Sequence, residues 1–335
     1  MIKFCHIASI LFLLFYGAVH IFPQPYPFTE LPKDEKAVLD EMHCLITNGD
    51  YEKALQKSSF FEKNPNSVYG RQLREFQKNK EIEKDHVQLA MNLYWQGKFK
   101  ESLEIITDFL KENSGNYYAI LVKAMNLVML NPRKAIDECS KILYYYPFNA
   151  SLITVRGDAY YILGEKQQAE KDYSFSLFVK PSDSVYNRRG RIYFESDRIE
   201  DSLKDFDESI RLNPNGLNES YLDRAVIYQK LGEFEKSESD CETYINAGGQ
   251  DASVFRTLAA IHYEKKDFQK ALDYINRFVD ASPNNADGYY SRACVYFYMG
   301  EYSRTLSDCE KALEFSTSER ERVEIQALIQ KVKGL

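Results

Sequence analysis

One pattern of about 34 residues recurs along most of this chain and limits its fold more than any other feature. Eight units fit the pattern, and they begin near Glu35, Glu83, Asn116, Ala150, Asp183, Asn218, Ala252 and Ala286. A repeat of this length forms one small helical or strand unit that cannot bury its apolar face alone, so neighbouring units must stack. The sequence therefore predicts an array of similar units.

Small residues occur at two fixed positions, counted from the first residue of each unit. Position 8 is small in seven units, as Ala90, Ala124, Gly157, Gly190, Ala225, Ala259 and Ala293. Position 20 is small in all eight, as Ala54, Ser102, Ala135, Ala169, Ser202, Ser237, Ala271 and Thr305. The third unit is one residue shorter in its turn, so its first helix is counted from Tyr117. Small residues at both positions allow two antiparallel helices to approach closely.

Turn residues separate the two helices of each unit. Position 15 is Gly49, Gly97, Gly164, Gly232 and Gly300, while Asp197 and Lys266 stand there in two other units. Glycine adopts the left-handed backbone conformation that ends a helix at little steric cost. Four units close with Pro147, Pro181, Pro214 and Pro283, which stop the second helix. Each unit is therefore predicted to be a helix-turn-helix hairpin.

The recurring residues resemble the tetratricopeptide repeat family. Two units show the resemblance most clearly, through Gly157, Tyr160, Gly164, Ala169, Tyr173 and Pro181, and through Tyr186, Gly190, Tyr193, Ser202, Phe206 and Pro214. The resemblance extends over roughly residues 35–319. It implies an all-α fold: a right-handed α-solenoid of about eight helix-turn-helix repeats with a C-terminal capping helix.

The predicted organisation has six segments. They are 1–22, a signal peptide or signal anchor; 23–34, a Pro-rich linker; 35–66, the first hairpin; 67–82, a helical linker; 83–319, an array of seven repeats; and 320–335, the capping helix. The pattern Ser318-x-x-Glu321 is a capping box at the start of the last helix.

The N-terminus predicts export. Lys3 precedes an apolar run over residues 7–22, which ends in a proline-rich stretch, as in a secretory signal. The run is short for a membrane-spanning helix, which needs about 20 residues. A cleaved signal, with the chain secreted, periplasmic or ER-lumenal, and an anchor through residues 7–22 both remain open. Asn149 and Asn218 begin N-glycosylation sequons, whose use depends on the source organism.

The composition and motifs argue against several functions. The formal net charge of -7 disfavours nucleic acid as a partner, because phosphate binding needs clustered Lys and Arg. No common catalytic or nucleotide-binding motif is present. Cys139, Cys241 and Cys309 share position 24 in separate hairpins and are interpreted as core residues. We therefore expect no enzymatic activity, no catalytic residue, no metal and no cofactor.

Opposite charges recur together at positions 7 and 23. The pairs are Arg156 with Asp172, Arg189 with Asp205, Arg224 with Asp240, Arg292 with Asp308, Lys123 with Glu138, and the reversed pair Glu41 with Lys57. The two remaining units carry uncharged residues at both positions. This joint variation predicts an ion pair between the helices of one hairpin. A partly exposed pair of this kind contributes about 0–1 kcal/mol to stability.

The resemblance also implies a binding groove, because the first helices of such repeats line a concave surface. The corresponding residues are Tyr94, Trp95, Tyr118, Met125, Tyr161, Asn187, Arg191, Phe194, Arg256, Tyr263, Tyr290, Phe297 and Tyr298. Aromatic residues and methionine suit an extended or helical peptide. The function expected is a scaffold or adaptor that binds a protein or peptide partner. The alternatives are an exported co-chaperone that holds unfolded chains and a non-catalytic subunit of an envelope- or glycan-processing complex.

Overall fold

The computed structural model describes residues 31–64, 67–69, 84–113, 116–214 and 218–335, and the chain divides into two compact units. Unit 1 runs to Val185 and unit 2 begins at Tyr186. The helices of unit 1 are α1 (Lys33–Thr47), α2 (Tyr51–Lys63), α3 (Lys84–Trp95), α4 (Phe99–Glu112), α5 (Tyr117–Leu130), α6 (Pro132–Tyr145), α7 (Ala150–Ile162) and α8 (Lys166–Val179). Helix α9 (Asp183–Glu195) contains the division.

Unit 2 continues with eight more helices. They are α10 (Ile199–Leu212), α11 (Ser220–Lys230), α12 (Phe234–Asn246), α13 (Ser253–Glu264), α14 (Phe268–Ala281), α15 (Ala286–Tyr298), α16 (Tyr302–Phe315) and α17 (Glu319–Lys333). Over the described ranges the chain thus has seventeen helices and no strand, arranged as eight successive pairs and one last helix. The predicted all-α class and the predicted hairpins are confirmed.

The small positions bring the two helices of each hairpin together. A Cβ atom added to Gly157 would lie 2.7 Å from Cε1 of Tyr173, and one added to Gly190 would lie 2.7 Å from Cε1 of Phe206. Where position 20 is serine, its hydroxyl also bonds the facing helix: Ser202 Oγ donates to the Gly190 carbonyl at 2.8 Å. The close approach expected from positions 8 and 20 therefore exists in the structure.

The turn position adopts the left-handed conformation in every hairpin that has a residue there. Gly164, for example, has φ of +77°, and nothing lies within 4 Å of an added Cβ atom. Asp197 and Lys266 reach φ of 59° and 60° at the same position. Residues with a Cβ atom are strained in this region by about 1–2 kcal/mol. The turn therefore selects glycine for its backbone conformation and not for space.

The arginine–aspartate pairs are bidentate and more buried than expected. Arg156 donates from Nε and Nη2 to Asp172 at 2.8 and 2.7 Å, and three further arginines repeat this geometry. The Asp172 side chain is only 9% exposed. The expectation that both members of the pair are partly exposed was therefore wrong for the aspartate. Buried carboxylates require such partners because desolvation of a lone charge is costly.

The same arginines also reach the preceding hairpin. Arg156 Nη1 donates to Ser140 Oγ of α6 at 3.3 Å, and Arg292 Nη1 donates to Asn276 Oδ1 of α14 at 3.0 Å. One guanidinium thus connects its own hairpin to the second helix of its neighbour. The pair therefore fixes the stacking of hairpins as well as the register within one hairpin.

The first hairpin contacts helices that are distant in the chain. Tyr51, at the start of α2, stacks on Phe175 of α8 with ring centroids 4.7 Å apart. His43 of α1 stacks on Tyr144 of α6 at 5.0 Å, and its Nε2 lies 2.8 Å from the Tyr144 carbonyl oxygen. The buried Glu35 carboxylate accepts the backbone N–H of Tyr69 at 2.9 Å. The hairpin is therefore held against the C-terminal ends of second helices.

Helix α17 packs on the last hairpin. Its N-cap is Ser318, whose Oγ accepts the backbone N–H of Glu321, as the capping box predicted. Ile325 is buried against α15 and α16, and Arg322 donates to the Leu313 carbonyl at the end of α16 at 2.7 Å. Most of its other side chains are charged or polar and exposed. This arrangement closes unit 2 with a polar surface.

Three predicted segments lie wholly or largely outside the described residues, and one of them is the Pro-rich linker, of which only residues 31–34 are described. The other two are the export segment over residues 1–22 and most of the helical linker over residues 67–82. Among the helices that the structure does describe, none is long and apolar enough to cross a membrane.

Candidate functional site

In unit 1 the first helices α3, α5 and α7 lie side by side and form one continuous surface, here called face 1. Its residues occupy positions 5, 9, 12 and 13. They are Val87, Met91, Tyr94 and Trp95; Leu121, Met125, Val128 and Met129; and Thr154, Asp158, Tyr161 and Ile162. Helix α5 is mostly apolar, and ten of its residues are buried. Four of these residues, Val87, Met91, Leu121 and Val128, are buried, so the exposed part of face 1 rests on a well-packed centre.

Large apolar side chains are exposed at the same position of all three helices of face 1. Trp95 is 55% exposed, Met129 is 47% exposed and Ile162 is 50% exposed. Each belongs to the last turn of its helix, at position 13. Because this is one position of adjacent hairpins, the three side chains form a row that crosses the stack.

The Tyr94 ring connects Trp95 to Phe99. The Tyr94 ring lies 5.2 Å from Trp95 and 5.3 Å from Phe99, both edge to face. Met125 and Tyr161 are half-buried beside the row. The structure thus brings four predicted site residues, Tyr94, Trp95, Met125 and Tyr161, onto one surface.

Two other predicted contact residues are buried. Tyr118 is 4% exposed and belongs to the core around α5. Asn187 is 6% exposed, and its Nδ2 donates to Ser220 Oγ at 2.9 Å and to Asp223 Oδ2 at 2.7 Å. Both side chains pack between neighbouring elements, and neither is presented to a partner in this structure.

The basic residues predicted to contact a ligand in unit 2 are already paired. Arg191 Nε donates to Asp223 at 2.7 Å, and its Nη2 donates to Glu219 at 3.1 Å. Arg256 of α13 donates to Asp287 of α15 at 3.0 Å. Each bond joins the first helices of successive hairpins. An acidic ligand would have to compete with these carboxylates.

The aromatic residues of unit 2 form a second surface, here called face 2, at the ends of α13 and α15. Tyr263 lies 5.5 Å from Tyr298 and 5.9 Å from Phe268, and Phe268 stacks on Tyr298 at 5.6 Å. Phe297 lies 5.5 Å from Tyr298. Tyr298 is 55% exposed. Three predicted contact residues, Tyr263, Phe297 and Tyr298, therefore meet at one surface.

Cations cover two aromatic rings of unit 2. Lys230 Nζ lies 4.5 Å from the Phe194 ring centroid, and Lys331 Nζ lies 4.6 Å from that of Phe297. Tyr290 is half-buried beside Cys294, and burial, with a smaller effect of Cys294, raises the pKa of its hydroxyl to about 12. Each of Phe194, Tyr290 and Phe297 therefore already contacts a side chain of this protein.

Sequence reasoning missed two members of these surfaces. Ile162 occupies the same position 13 as Trp95, so the repeat numbering alone could have identified it. Phe268, at position 17, was not among the residues expected to line the groove, although its ring stacks on the exposed Tyr298. The position within the repeat was therefore sufficient to predict that Ile162 lies at the surface, but it was not sufficient for Phe268.

Neither surface has the side chains of a catalytic or metal site. Over the described ranges, no group of three His, Cys, Asp or Glu residues could hold a metal ion. His262 is buried, with Nε2 3.3 Å from Glu238 Oε1 and its ring stacked on Tyr274. Burial raises the pKa of the Cys139 thiol from its usual 9.0 to about 12, which suppresses the nucleophilic thiolate. The chemistry available at the two faces is apolar and aromatic contact.

Family models match part of the chain. Residues 183–215, which contain α9 and α10, match one model described as tetratricopeptide repeat. Residues 222–286, which contain α12–α14 and most of α11, match a second model of the same description. Residues 183–215 and 222–286 carry tetratricopeptide repeats. The other hairpins have the same small positions and turn geometry.

Comparisons with known proteins agree with this assignment. The human protein "Mitochondrial import receptor subunit TOM70" is 22% identical over 228 residues, which are 63% of this chain and 38% of that protein. The "Hsp70-Hsp90 organizing protein" of Triticum aestivum is 25% identical over 126 residues, 37% of this chain and 22% of that protein. The chain thus spans well under half the length of both relatives.

A solved structure shows the same fold. The tetratricopeptide repeat protein from Parabacteroides merdae superposes with a TM-score of 0.53 at 18% sequence identity. The match covers 75% of this chain and 98% of that chain. At this identity the likeness concerns the fold, an array of tetratricopeptide hairpins.

Proposed function

We propose that this chain is a non-catalytic scaffold or adaptor that binds a protein or peptide partner on the faces of its first helices. The observation that supports this most directly is the exposed row of Trp95, Met129 and Ile162. Exposed apolar side chains that form a patch mark interaction sites, whereas scattered ones do not. Trp and Tyr in particular dominate the binding energy of interfaces.

The relatives support the proposal through their names. One is an import receptor subunit and the other is an organizing protein. Interaction with other proteins is the common element of both descriptions. The net charge of -7 and the paired arginines of unit 2 favour a polypeptide over nucleic acid as the partner.

Site-specific photo-crosslinking in the native compartment tests the proposal. A photoreactive residue placed at Trp95 or at Tyr298 is expected to capture a discrete partner. Matched controls are Glu104 on α4 and Glu310 on α16, which are exposed on second helices. Equal capture from face and control positions, or no capture from any, would contradict the proposal.

The same experiment separates the scaffold from a holdase. Many unrelated proteins captured at both faces, together with suppression of aggregation of denatured proteins, would favour the co-chaperone. A single stoichiometric partner would favour the adaptor. The two outcomes differ in the number of captured species, which mass spectrometry counts directly.

We also propose export or membrane anchoring through the N-terminal segment. Lys3 followed by the apolar run over residues 7–22 supports it. Intact mass of the protein from its native source decides between the two forms. Loss of about the first 22 residues means a cleaved signal, and a full-length chain in the membrane fraction means an anchor. A full-length chain in the cytosol would contradict both.

A further inference from the structure

Face 1 carries almost no charge. Of its twelve residues, Asp158 is the single charged one, and it accepts a hydrogen bond from the Tyr173 hydroxyl at 2.7 Å. The one charged residue of α5, Lys123, is directed to Glu138 of α6 at 2.9 Å. A basic group that could hold an acidic tail is therefore missing from these twelve residues. The complementary partner is apolar and needs no terminal carboxylate.

Several polar side chains on or beside face 1 form hydrogen bonds within the protein. Gln88 Nε2 donates to Asn92 Oδ1 at 3.1 Å, and Thr154 Oγ1 pairs with Ser176 Oγ at 2.8 Å. Asn126 is fully buried, and its Nδ2 donates to Ser102 Oγ and to the Val122 carbonyl, both at 2.8 Å. The amide N–H groups of Gln88 and Asn126 and the Thr154 hydroxyl are therefore already engaged within the protein.

The apolar character of face 1 distinguishes a helical partner from an extended one. An extended peptide on an apolar surface would bury backbone N–H and C=O groups without partners, at about 1–3 kcal/mol for each unsatisfied group. A helix satisfies its own backbone and presents only side chains. The chemistry of face 1 therefore favours a helix.

The spacing of the row also suits a helix. Adjacent packed helices lie about 8–10 Å apart, which sets the separation between successive side chains of the row. Two turns of an α-helix advance about 10.5 Å over seven residues. Apolar residues at i, i+7 and i+14 of one helix can therefore meet Trp95, Met129 and Ile162 in turn.

We propose that face 1 binds one amphipathic α-helix of a partner protein, laid across α3, α5 and α7. Its apolar stripe contacts Trp95, Met129 and Ile162, and its polar side remains in solvent. This inference rests on the proposed scaffold function and specifies the class of partner for unit 1. Face 2 is different, because Arg256 of α13 joins its two first helices through an ion pair with Asp287 of α15.

Trp95 provides a direct probe, because it is the only tryptophan of the chain. A synthetic peptide of about five helical turns, built from Leu, Ala, Lys and Glu with leucine at i, i+3, i+7, i+10 and i+14, contains no aromatic residue. Titration of this peptide into the full chain is expected to shift tryptophan emission to shorter wavelength. A peptide of the same composition with scrambled leucines is the control.

Variants locate the binding. Met129→Ser and Ile162→Ser leave the probe in place and are each expected to weaken peptide affinity about tenfold. Leu89→Ser is the matched control, since Leu89 is 49% exposed on α3 but lies outside face 1. Circular dichroism of each variant confirms that it folds. A wild-type affinity in Met129→Ser and Ile162→Ser, or equal weakening by Leu89→Ser, would overturn the proposal.

Two further peptides separate this inference from the scaffold function. One is a proline-rich extended peptide and the other is a peptide with an acidic C-terminus. Binding of either at face 1 without binding of the amphipathic peptide overturns the helical partner while the scaffold function stands. Failure of the scaffold function itself is recognised by the crosslinking experiment, in which no partner is captured at Trp95 or at Tyr298.

Discussion

At the scale of single residues, bidentate arginine–aspartate pairs recur in four hairpins. Asp172 is buried, while Arg156 keeps 22% of its side chain exposed. Burial raises the pKa of the Asp172 carboxyl, and the hydrogen bonds from Arg156 oppose that rise. The two members of the pair are therefore unequal, because the aspartate depends on the arginine more than the reverse.

The first prediction concerns this pair. Arg156→Leu leaves a buried carboxylate without its partner and is expected to lower the free energy of unfolding by about 3–5 kcal/mol. Asp172→Leu is expected to cost less, because Arg156 can reach solvent. The double variant is expected to be more stable than Arg156→Leu and to bind a partner as the parent does. Urea unfolding measures all three.

The sign of the pH dependence provides a second readout. Without Arg156, burial alone acts on Asp172 and raises its folded pKa above the unfolded value. Stability is then fully present below the unfolded pKa and is lost as pH rises through the folded pKa. Arg156→Leu should therefore recover stability relative to the parent near pH 4. An Arg156→Leu variant whose deficit is the same at pH 4 and pH 7 would show that the carboxylate does not cause the loss.

At the scale of helices and turns, the repeat pattern predicted most of what the structure shows. Glycine at position 15 is required by the local backbone conformation, so the sequence alone predicts the turn. Small residues at positions 8 and 20 likewise predict the close contact between the two helices of one hairpin. The contact of Tyr51 with Phe175 left no such signal, because the two residues are 124 positions apart and belong to hairpins that are not adjacent in the sequence. Burial of Tyr118 was likewise missed, since the family numbering places it on the exposed surface.

The second prediction concerns the two turns that lack glycine. Asp197 and Lys266 are exposed and have positive φ, so replacement by glycine relieves strain while adding some freedom to the unfolded chain. Asp197→Gly and Lys266→Gly are each expected to stabilise the protein by about 0.5–1 kcal/mol. Gly164→Ala is the reverse control and is expected to destabilise by about 1 kcal/mol. A loss of stability in both glycine variants would show that the native side chains stabilise these turns in another way.

At the scale of the whole molecule, three buried cysteines place a titratable group in the core of each unit. Cys139 belongs to unit 1, and Cys241 and Cys309 belong to unit 2. Each is fully buried, and burial raises the pKa of each thiol from its usual 9.0 to about 12. In the unfolded chain the same thiols are solvated and lose their protons near the usual value.

The third prediction is therefore a loss of stability at alkaline pH. Between about pH 9 and pH 12 the unfolded chain releases thiol protons that the folded chain retains, so the free energy of unfolding falls as pH rises. The stabilisation is fully present below pH 9, and about 1 kcal/mol for each thiol is lost by pH 10. Urea unfolding across this range measures the slope.

Cysteine variants isolate the thiols from the tyrosines, which also titrate in this range. Burial raises the pKa of several tyrosines, including Tyr118, so the parent chain loses stability from both kinds of group. Cys139→Ala removes one thiol from unit 1, and Cys241→Ala with Cys309→Ala removes two from unit 2. Each set is expected to reduce the fall of the free energy of unfolding with pH in proportion to the number of thiols removed. The small cavities left by alanine lower the free energy of unfolding at every pH. An unchanged slope would mean that the helices open at high pH before the thiols can resist ionisation, and that the arrays are less rigid than their packing indicates.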